Sequence, residues 1–287
     1  CLNLCDLREF LDMKDTLKRD SGEDLPKESC KIQFKNVSFK YEGSDKLIVE
    51  NLNLSIDKGE KIALVGVNGA GKTTIVKLLC GLYYPTTGEI LVNGKKTTEY
   101  NRDEYYSIFS AVFQDFYLLP TSIAKNIALR SEENIDYGRV NKVLEIAGLS
   151  EKINNLKDGI NTLLLKSIFE DAVELSGGEQ QKLAIARSLY KQGKIVVLDE
   201  PTAALDPIAE NQVYLKYNEL TEGRTSIFVS HRLSSTRFCD RIIFLEDGKI
   251  VEIGTHDELM ELNGKYAEMF VTQSKYYKDS REGVLVC

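Results

Sequence analysis

Hydrophobic and polar residues alternate in a pattern that predicts β-structure near the start of the chain. Residues 32–34 and 37–41 each alternate with period two, and the two stretches are out of phase. The slip at Asn36 predicts a bulge or bend between two strand segments. Residues 62–65 are all apolar, which is typical of a strand covered on both faces.

Other stretches have the spacing of amphipathic helices or short buried strands. A helix is predicted over 75–79 with Gly81 as its terminating glycine, and mostly helical structure over about 116–166. Two further amphipathic helices are predicted, over 2–16 and 257–272. Strands are predicted at 195–198, 227–229 and 242–245, with 250–253 completing a hairpin through Asp247-Gly248. Interleaved strands and helices predict an α/β core with a helical insertion.

Composition limits the class of protein but does not choose a function. The 287 residues are 43% hydrophobic and 28% charged, as in ordinary globular proteins. No apolar run approaches the roughly 18 residues of a membrane span. The net charge of −7 argues against nucleic-acid binding. The six cysteines have no C-x-x-C spacing, so free thiols in a reducing compartment are expected rather than zinc or disulfides.

A glycine-rich segment predicts a phosphate-binding loop. Residues 66–73 read Gly-Val-Asn-Gly-Ala-Gly-Lys-Thr and match G-x-x-x-x-G-K-[ST], between a buried strand and a helix. Glycines let successive backbone N–H groups point at phosphate oxygens, and the helix N-terminus adds positive potential. Lys72 supplies charge to the β- and γ-phosphates, and Thr73 is a candidate Mg²⁺ ligand. The candidate nucleotide-binding residues here are Gly66, Val67, Asn68, Gly69, Ala70, Gly71, Lys72, Thr73 and Thr74.

A second candidate site lies where the apolar strand 195–198 ends in two acids, Asp199 and Glu200. In open α/β sheets, ligands sit outside the carboxyl ends of the strands. Asp199 is a candidate Mg²⁺ ligand, and Glu200 is a candidate general base that polarises the attacking water.

A third motif carries a family resemblance. Residues 175–180 read Leu-Ser-Gly-Gly-Glu-Gln and precede a helix predicted over 181–190. This segment resembles the LSGGQ signature of ATP-binding-cassette (ABC) ATPases, with Glu179 in the usual Gln position. The resemblance implies that Ser176, Gly177, Gly178 and Glu179 contact the γ-phosphate of ATP bound to the opposite copy.

The resemblance covers about residues 31–272 and assigns further roles. Tyr41 looks like the aromatic residue that stacks on adenine. Gln114 looks like the Q-loop glutamine that contacts Mg²⁺ and water. Asp206 looks like part of the D-loop at the dimer interface, and His231 like the switch histidine on the γ-phosphate. The implied catalytic set is Lys72, Gln114, Glu200 and His231, with Thr73, Gln114 and Asp199 on the metal. His256, the other histidine, is expected to be a solvated turn residue.

The resemblance also implies an architecture: a P-loop NTPase three-layer α/β core with an antiparallel β subdomain and an inserted helical subdomain at about 116–170. Residues 1–29 are expected to be the link from a preceding membrane domain, 30–272 the ABC ATPase domain, and 273–287 a C-terminal tail. Residues 169–174 lack the glycines of one exporter pattern and look closer to exporters of peptides and bacteriocin-like products.

The function implied is that of an exporter ATPase, with ATP and Mg²⁺ as cofactors. Its partners would be a second ATPase domain, arranged head to tail, and a transmembrane domain of the same polypeptide, at the cytoplasmic face of the cell membrane. Two alternatives stay open: a separate ATPase subunit of an importer, and a non-transport clamp gated by ATP. The transported substrate is not predicted.

Overall fold

The computed structural model describes residues 28–200, 221–231 and 236–282, together with residues 22, 24, 25, 215 and 218; side chains are described as far as residue 274. The predicted helix over 2–16 and Asp206 lie outside the described residues.

The described strands form two sheets. A four-stranded antiparallel sheet has the order β2-β1-β4-β5, and a six-stranded sheet has the order β10-β9-β3-β8-β7-β6. In the larger sheet the pairs are parallel except for the antiparallel pair β9–β10. Their bounds are β1 Ile32–Phe39, β2 Val49–Ile56, β3 Lys61–Gly66, β4 Thr87–Val92, β5 Lys95–Lys96, β6 Phe109–Val112, β7 Ile195–Asp199, β8 Thr225–Val229, β9 Arg241–Glu246 and β10 Lys249–Gly254.

The helices surround the larger sheet and include a cluster between β6 and β7. The described α-helices are α1 Lys72–Leu79, α2 Arg102–Ser107, α3 Ile123–Ala128, α4 Tyr137–Ile146, α5 Ser150–Asn154, α6 Gly177–Lys191, α7 His256–Leu262 and α8 Lys265–Glu282. Helices α3, α4 and α5 pack with α6 around one apolar cluster, and β1–β4 and α1 around a second. The mixed α/β fold with one antiparallel and one mainly parallel sheet matches the predicted fold class.

Several local predictions are confirmed by the structure. Asn36 has φ 49° and lies where the β1 register shifts. Gly81 follows the α1 cap with φ 69°. The strands predicted at 195–198, 227–229 and 242–245 and the hairpin to 250–253 all form, each slightly longer than predicted. Cys30, Cys80 and Cys239 are free and buried, and burial raises the pKa of the Cys80 thiol to about 12.

Two predictions near the C-terminus are wrong. The single helix expected over 257–272 is two helices, because Asn263 takes a left-handed conformation (φ 51°) that ends α7 before α8 begins. His256 is not a solvated turn residue but the first residue of α7. Its Nδ1 atom lies 2.8 Å from the hydroxyl of the buried Tyr266, and its ring also contacts Phe270.

Candidate nucleotide-binding and catalytic site

Four neighbouring parallel strands carry the candidate residues at one edge of the larger sheet. The strands β3, β8, β7 and β6 are adjacent in that order. Their carboxyl ends lead into the glycine-rich loop, His231, the acidic pair 199–200 and Gln114, respectively. Parallel strands place their carboxyl ends together, so segments far apart in the sequence converge on one cavity.

The glycine-rich loop takes a backbone path that larger residues would obstruct. A Cβ atom on Gly66, which has φ 144°, would lie 2.1 Å from the carbonyl oxygen of Leu245. Gly71 precedes α1 with φ 93° and provides no side-chain cap. The first backbone N–H groups of α1 therefore face the loop without a side-chain acceptor from Gly71, as an anion-binding helix start requires.

Lys72 lies in the floor of this loop and is 6% exposed. Its ammonium group donates to the carbonyl oxygens of Gly66 at 2.9 Å and Val67 at 3.0 Å. Burial lowers the pKa of Lys72, while the carboxylates of Glu200 and Asp199 act in the opposite direction. The lysine is thus held inside the loop, where its charge can reach a bound phosphate.

Asp199 and Thr73 form a candidate Mg²⁺ site. The Thr73 hydroxyl donates to Oδ1 of Asp199 at 3.1 Å. Asp199 is fully buried, and its Oδ2 atom has no hydrogen-bond partner within the described structure. Burial raises the pKa of this carboxyl to about 6, the Glu200 carboxylate adds to the rise, and the Thr73 hydrogen bond opposes it. An unpaired buried carboxylate oxygen beside a hydroxyl fits a hard divalent cation.

Glu200 and His231 face each other across the same edge of the sheet. Nδ1 of His231 lies 3.1 Å from Oε1 of Glu200, and the backbone N–H of Glu200 donates to the Val229 carbonyl at 3.0 Å. Glu200 has φ 48°, an uncommon conformation for a residue with a side chain. The chain turns sharply after β7, and this places the two carboxylates 199 and 200 in different surroundings.

These residues line one open cavity of about 750 Å³. Tyr41 forms part of its wall, and its hydroxyl lies 3.0 Å from Oγ1 of Thr74. The Tyr41 ring contacts Phe39 and Tyr83 edge-on, at centroid distances of 5.0 and 5.4 Å. The cavity is lined by Tyr41, Ile48, residues 66–74, Gln114, Glu200, His231, Met269 and Gln273.

The Leu-Ser-Gly-Gly-Glu segment does not line this cavity. Ser176 caps α6: its hydroxyl accepts from the backbone N–H of Glu179, and the Glu179 carboxylate accepts from the backbone N–H of Ser176 at 2.8 Å. Burial raises the pKa of Glu179, but hydrogen bonds from Ser176 and Lys152 outweigh it and the net shift is downward. Ser176 and Gly177 are exposed, so this helix start faces solvent.

Three residues of the cavity wall were not predicted from the sequence. Ile48 lies just before β2, and Met269 and Gln273 belong to α8. Met269 and Gln273 have the helical spacing i, i+4, which in the sequence is indistinguishable from an ordinary packing face. Only the docking of α8 against the sheet identifies them as cavity residues.

Comparison with known proteins assigns the family. Residues 49–203 match the model of the ABC transporter family, and the chain belongs to that family. A solved structure described as a bacterial Atm1-family ABC exporter with ATP bound matches with a TM-score of 0.85 and 30% identity, covering 95% of this chain and 47% of that one.

Curated relatives include a flippase and two transport ATP-binding proteins. The ATP-dependent lipid A-core flippase of Ralstonia nicotianae is 38% identical over 89% of this chain and 43% of its own length. The subtilin transport ATP-binding protein SpaT of Bacillus subtilis is 35% identical over 92% of this chain and 43% of its own. The nisin transport ATP-binding protein NisT of Lactococcus lactis is 37% identical over 86% and 41%. The chain thus spans less than half the length of these relatives.

Proposed function

We propose that the chain is the ATPase domain of an ABC exporter, which binds MgATP between two copies and hydrolyses it to drive transport. The observation that carries this proposal is the convergence of the glycine-rich loop, the acidic pair 199–200 and His231 at adjacent strand ends around one cavity. A phosphate cradle alone would suit a simple binding module. A carboxylate and an imidazole facing each other beside it suit hydrolysis better.

Binding of the nucleotide would use the loop and the aromatic wall. Backbone N–H groups of residues 66–74 would bind the phosphates, and the Lys72 ammonium would exchange its carbonyl acceptors, Gly66 and Val67, for phosphate oxygens. Tyr41 is placed at the cavity wall, where its ring would stack on adenine. Mg²⁺ would be held by Thr73 and Asp199, with Gln114 nearby on the wall, and would neutralise phosphate charge.

Hydrolysis would use Glu200 as the general base. Its carboxylate would accept a proton from water as the water oxygen bonds to the γ-phosphorus; the bond from that phosphorus to the bridging oxygen breaks, and ADP leaves. His231, 3.1 Å from Glu200, would orient the carboxylate and interact with the charged γ-phosphate. Positioning and charge neutralisation therefore account for the chemistry without a covalent intermediate.

A second copy would complete the site. Ser176 and the two following glycines start the 15-residue helix α6, lie away from their own chain's cavity and face solvent. A helix start of this kind attracts anions, so it would meet the γ-phosphate bound by the partner copy. The two nucleotides would then bridge the interface, and hydrolysis would weaken the closed dimer.

We place the dimer on a membrane domain, at the cytoplasmic face of the cell membrane. The similarity to a lipid A-core flippase, to bacteriocin transport proteins and to an ATP-bound exporter supports this placement. Within the part of the chain that the structure describes, no helix is long and apolar enough to cross a membrane.

Mixing two inactive variants tests the proposal. Lys72→Met disables the chain's own phosphate loop, and Ser176→Arg disables the surface offered to the partner. A mixed dimer has one intact composite site, because the Ser176→Arg copy still binds ATP and the Lys72→Met copy still offers Ser176. Equal mixtures should release phosphate well above the sum of the separate rates. Rates that merely add would contradict the two-copy site.

A further inference from the structure

Helix α8 reaches the candidate catalytic histidine from the C-terminal end of the domain. The side-chain amide of Gln273 donates to the backbone carbonyl of His231 at 2.5 Å, and Gln273 and Met269 both line the cavity. From this contact we propose that Gln273 is a positioning residue, which holds the His231 backbone so that its imidazole faces Glu200. The inference rests on the proposed function.

The first turn of α8 is fixed to the sheet by a carboxylate of β10. Glu252 accepts from the backbone N–H groups of Lys265 at 2.6 Å and Tyr266 at 3.0 Å. A Cβ on Gly264 would lie 2.2 Å from Oε1 of Glu252, so a larger residue there would force this carboxylate to shift. An acidic group at a helix start satisfies two otherwise unpaired N–H groups and complements the helix dipole.

One face of α8 then runs from this anchor to the cavity. Tyr266, Met269, Phe270 and Gln273 are spaced i, i+3, i+4 and i+7 and share that face. Tyr266 is completely buried, and Phe270 packs beside it against His256. Because the base of the helix is fixed in this way, the position of Gln273 is set by the packing of α8 and not by a flexible surface loop.

His231 is therefore held from two sides. Its imidazole lies against Glu200 at 3.1 Å, and its backbone carbonyl accepts from Gln273. Strand β8 ends at Val229, two residues before His231, so the strand ladder alone does not fix the histidine. Helix α8 consequently connects the C-terminal part of the domain to the hydrolytic site.

A matched set of variants separates this role from a general structural one. Gln273→Glu keeps the size and shape of the side chain but replaces the donating amide with an acceptor, and Gln273→Leu removes both polar atoms. Thr272→Ala is the control, because its exposed hydroxyl bonds only within α8, to the Glu268 carbonyl, and does not line the cavity. Circular dichroism should show that each variant is folded.

Two readouts decide the inference. Hydrogen exchange of the amides in residues 229–231 should be about fivefold faster in both Gln273 variants, the change expected from losing one hydrogen bond, and unchanged in Thr272→Ala. In the same variants kcat for MgATP should fall about fivefold with KM within twofold of the wild type. Unchanged exchange at 229–231 would overturn the inference even if the wild type hydrolyses ATP. Absence of hydrolysis by the wild type would instead count against the proposed function, with the exchange rates still deciding the role of Gln273.

Discussion

The hydroxyl of Thr73 donates to Oδ1 of Asp199 across 3.1 Å, which joins the first turn of α1 to the end of β7. The second carboxylate oxygen of Asp199 is buried with no hydrogen-bond partner in the described structure. One carboxylate oxygen of Asp199 is therefore hydrogen-bonded, and the other has no partner in the described structure. We therefore expect the thermal stability of the protein to depend on pH and on added Mg²⁺.

Asp199→Asn should stabilise the metal-free protein at neutral pH. The pKa of Asp199 is raised from 3.8 to about 6, so the folded state binds this proton more tightly than the unfolded state does. Its stabilising contribution is complete below pH 3.8 and is lost as the pH rises through about 6. Without Mg²⁺ we expect the melting temperature of the variant to exceed that of the wild type by roughly 4 °C at pH 7.5, with a smaller gap at pH 5.

Added Mg²⁺ and ATP should reverse this order, because the wild type gains a ligand that the variant lacks. Thermal unfolding with and without MgATP, at the two pH values, measures both effects. A metal-free wild type that is more stable than Asp199→Asn at pH 7.5 would contradict this prediction, because it would show that the ionised Asp199 carboxylate does not destabilise the fold.

Lys72→Met should weaken ATP binding by about 10- to 100-fold, because charge-assisted hydrogen bonds to the phosphates are lost. The side chain is buried and bonded to loop carbonyls, so its removal also leaves Gly66 and Val67 without a donor. Isothermal titration with ATP measures the change. Lys35→Ala, at an exposed lysine of β1, is the control and should bind like the wild type.

Tyr41 should contribute to adenine binding through its ring rather than its hydroxyl. Tyr41→Ala should raise the Kd for ATP about tenfold, as expected for one lost stacking contact, and should change the Kd for tripolyphosphate less than twofold. Tyr41→Phe loses only the hydroxyl contact with Thr74 and should stay within threefold of the wild type for both ligands. Equal losses for ATP and tripolyphosphate in Tyr41→Ala would rule out stacking.

Arg187 of helix α6 is hydrogen-bonded to the segment that follows Gln114. Its guanidinium donates to the backbone carbonyls of Asn126 and Tyr117 and to the side-chain oxygen of Asn126, which is completely buried. Arg187→Ala should lower the melting temperature by roughly 5 °C, since the Asn126 carbonyl loses this donor, while the Asn126 side-chain oxygen keeps only the backbone N–H of Leu119. Lys182→Ala, on the same helix, should shift it by about 1 °C at most. An equal shift in both variants would mean that the Arg187 contacts add little.

Much of the site could be predicted because its motifs impose local backbone demands. The glycine-rich loop, the acids that end β7 and the cap at Ser176 each carry their signal within a few residues. The same holds for Gly81 and for the bulge at Asn36.

The strands β2 and β4 were not identified although both carry a local signal: residues 52–56 alternate between apolar and polar, and residues 90–92 are a short apolar run. Features that depend on long-range packing, in contrast, have no such local signal. The break at Asn263 was missed because apolar residues keep helical spacing on both sides of it. Gln273 lines the cavity because α8 packs beside His231, a long-range contact that the sequence does not indicate.

The most direct test compares phosphate release and ATP binding in the wild type and in Glu200→Gln. The glutamine keeps the shape of the side chain but cannot accept a proton from water at neutral pH. We predict steady phosphate release by the wild type under saturating MgATP, at least a 100-fold lower rate in the variant, and ATP affinities within threefold of each other. Equal rates of release, or the absence of ATP binding by the wild type, would contradict the account.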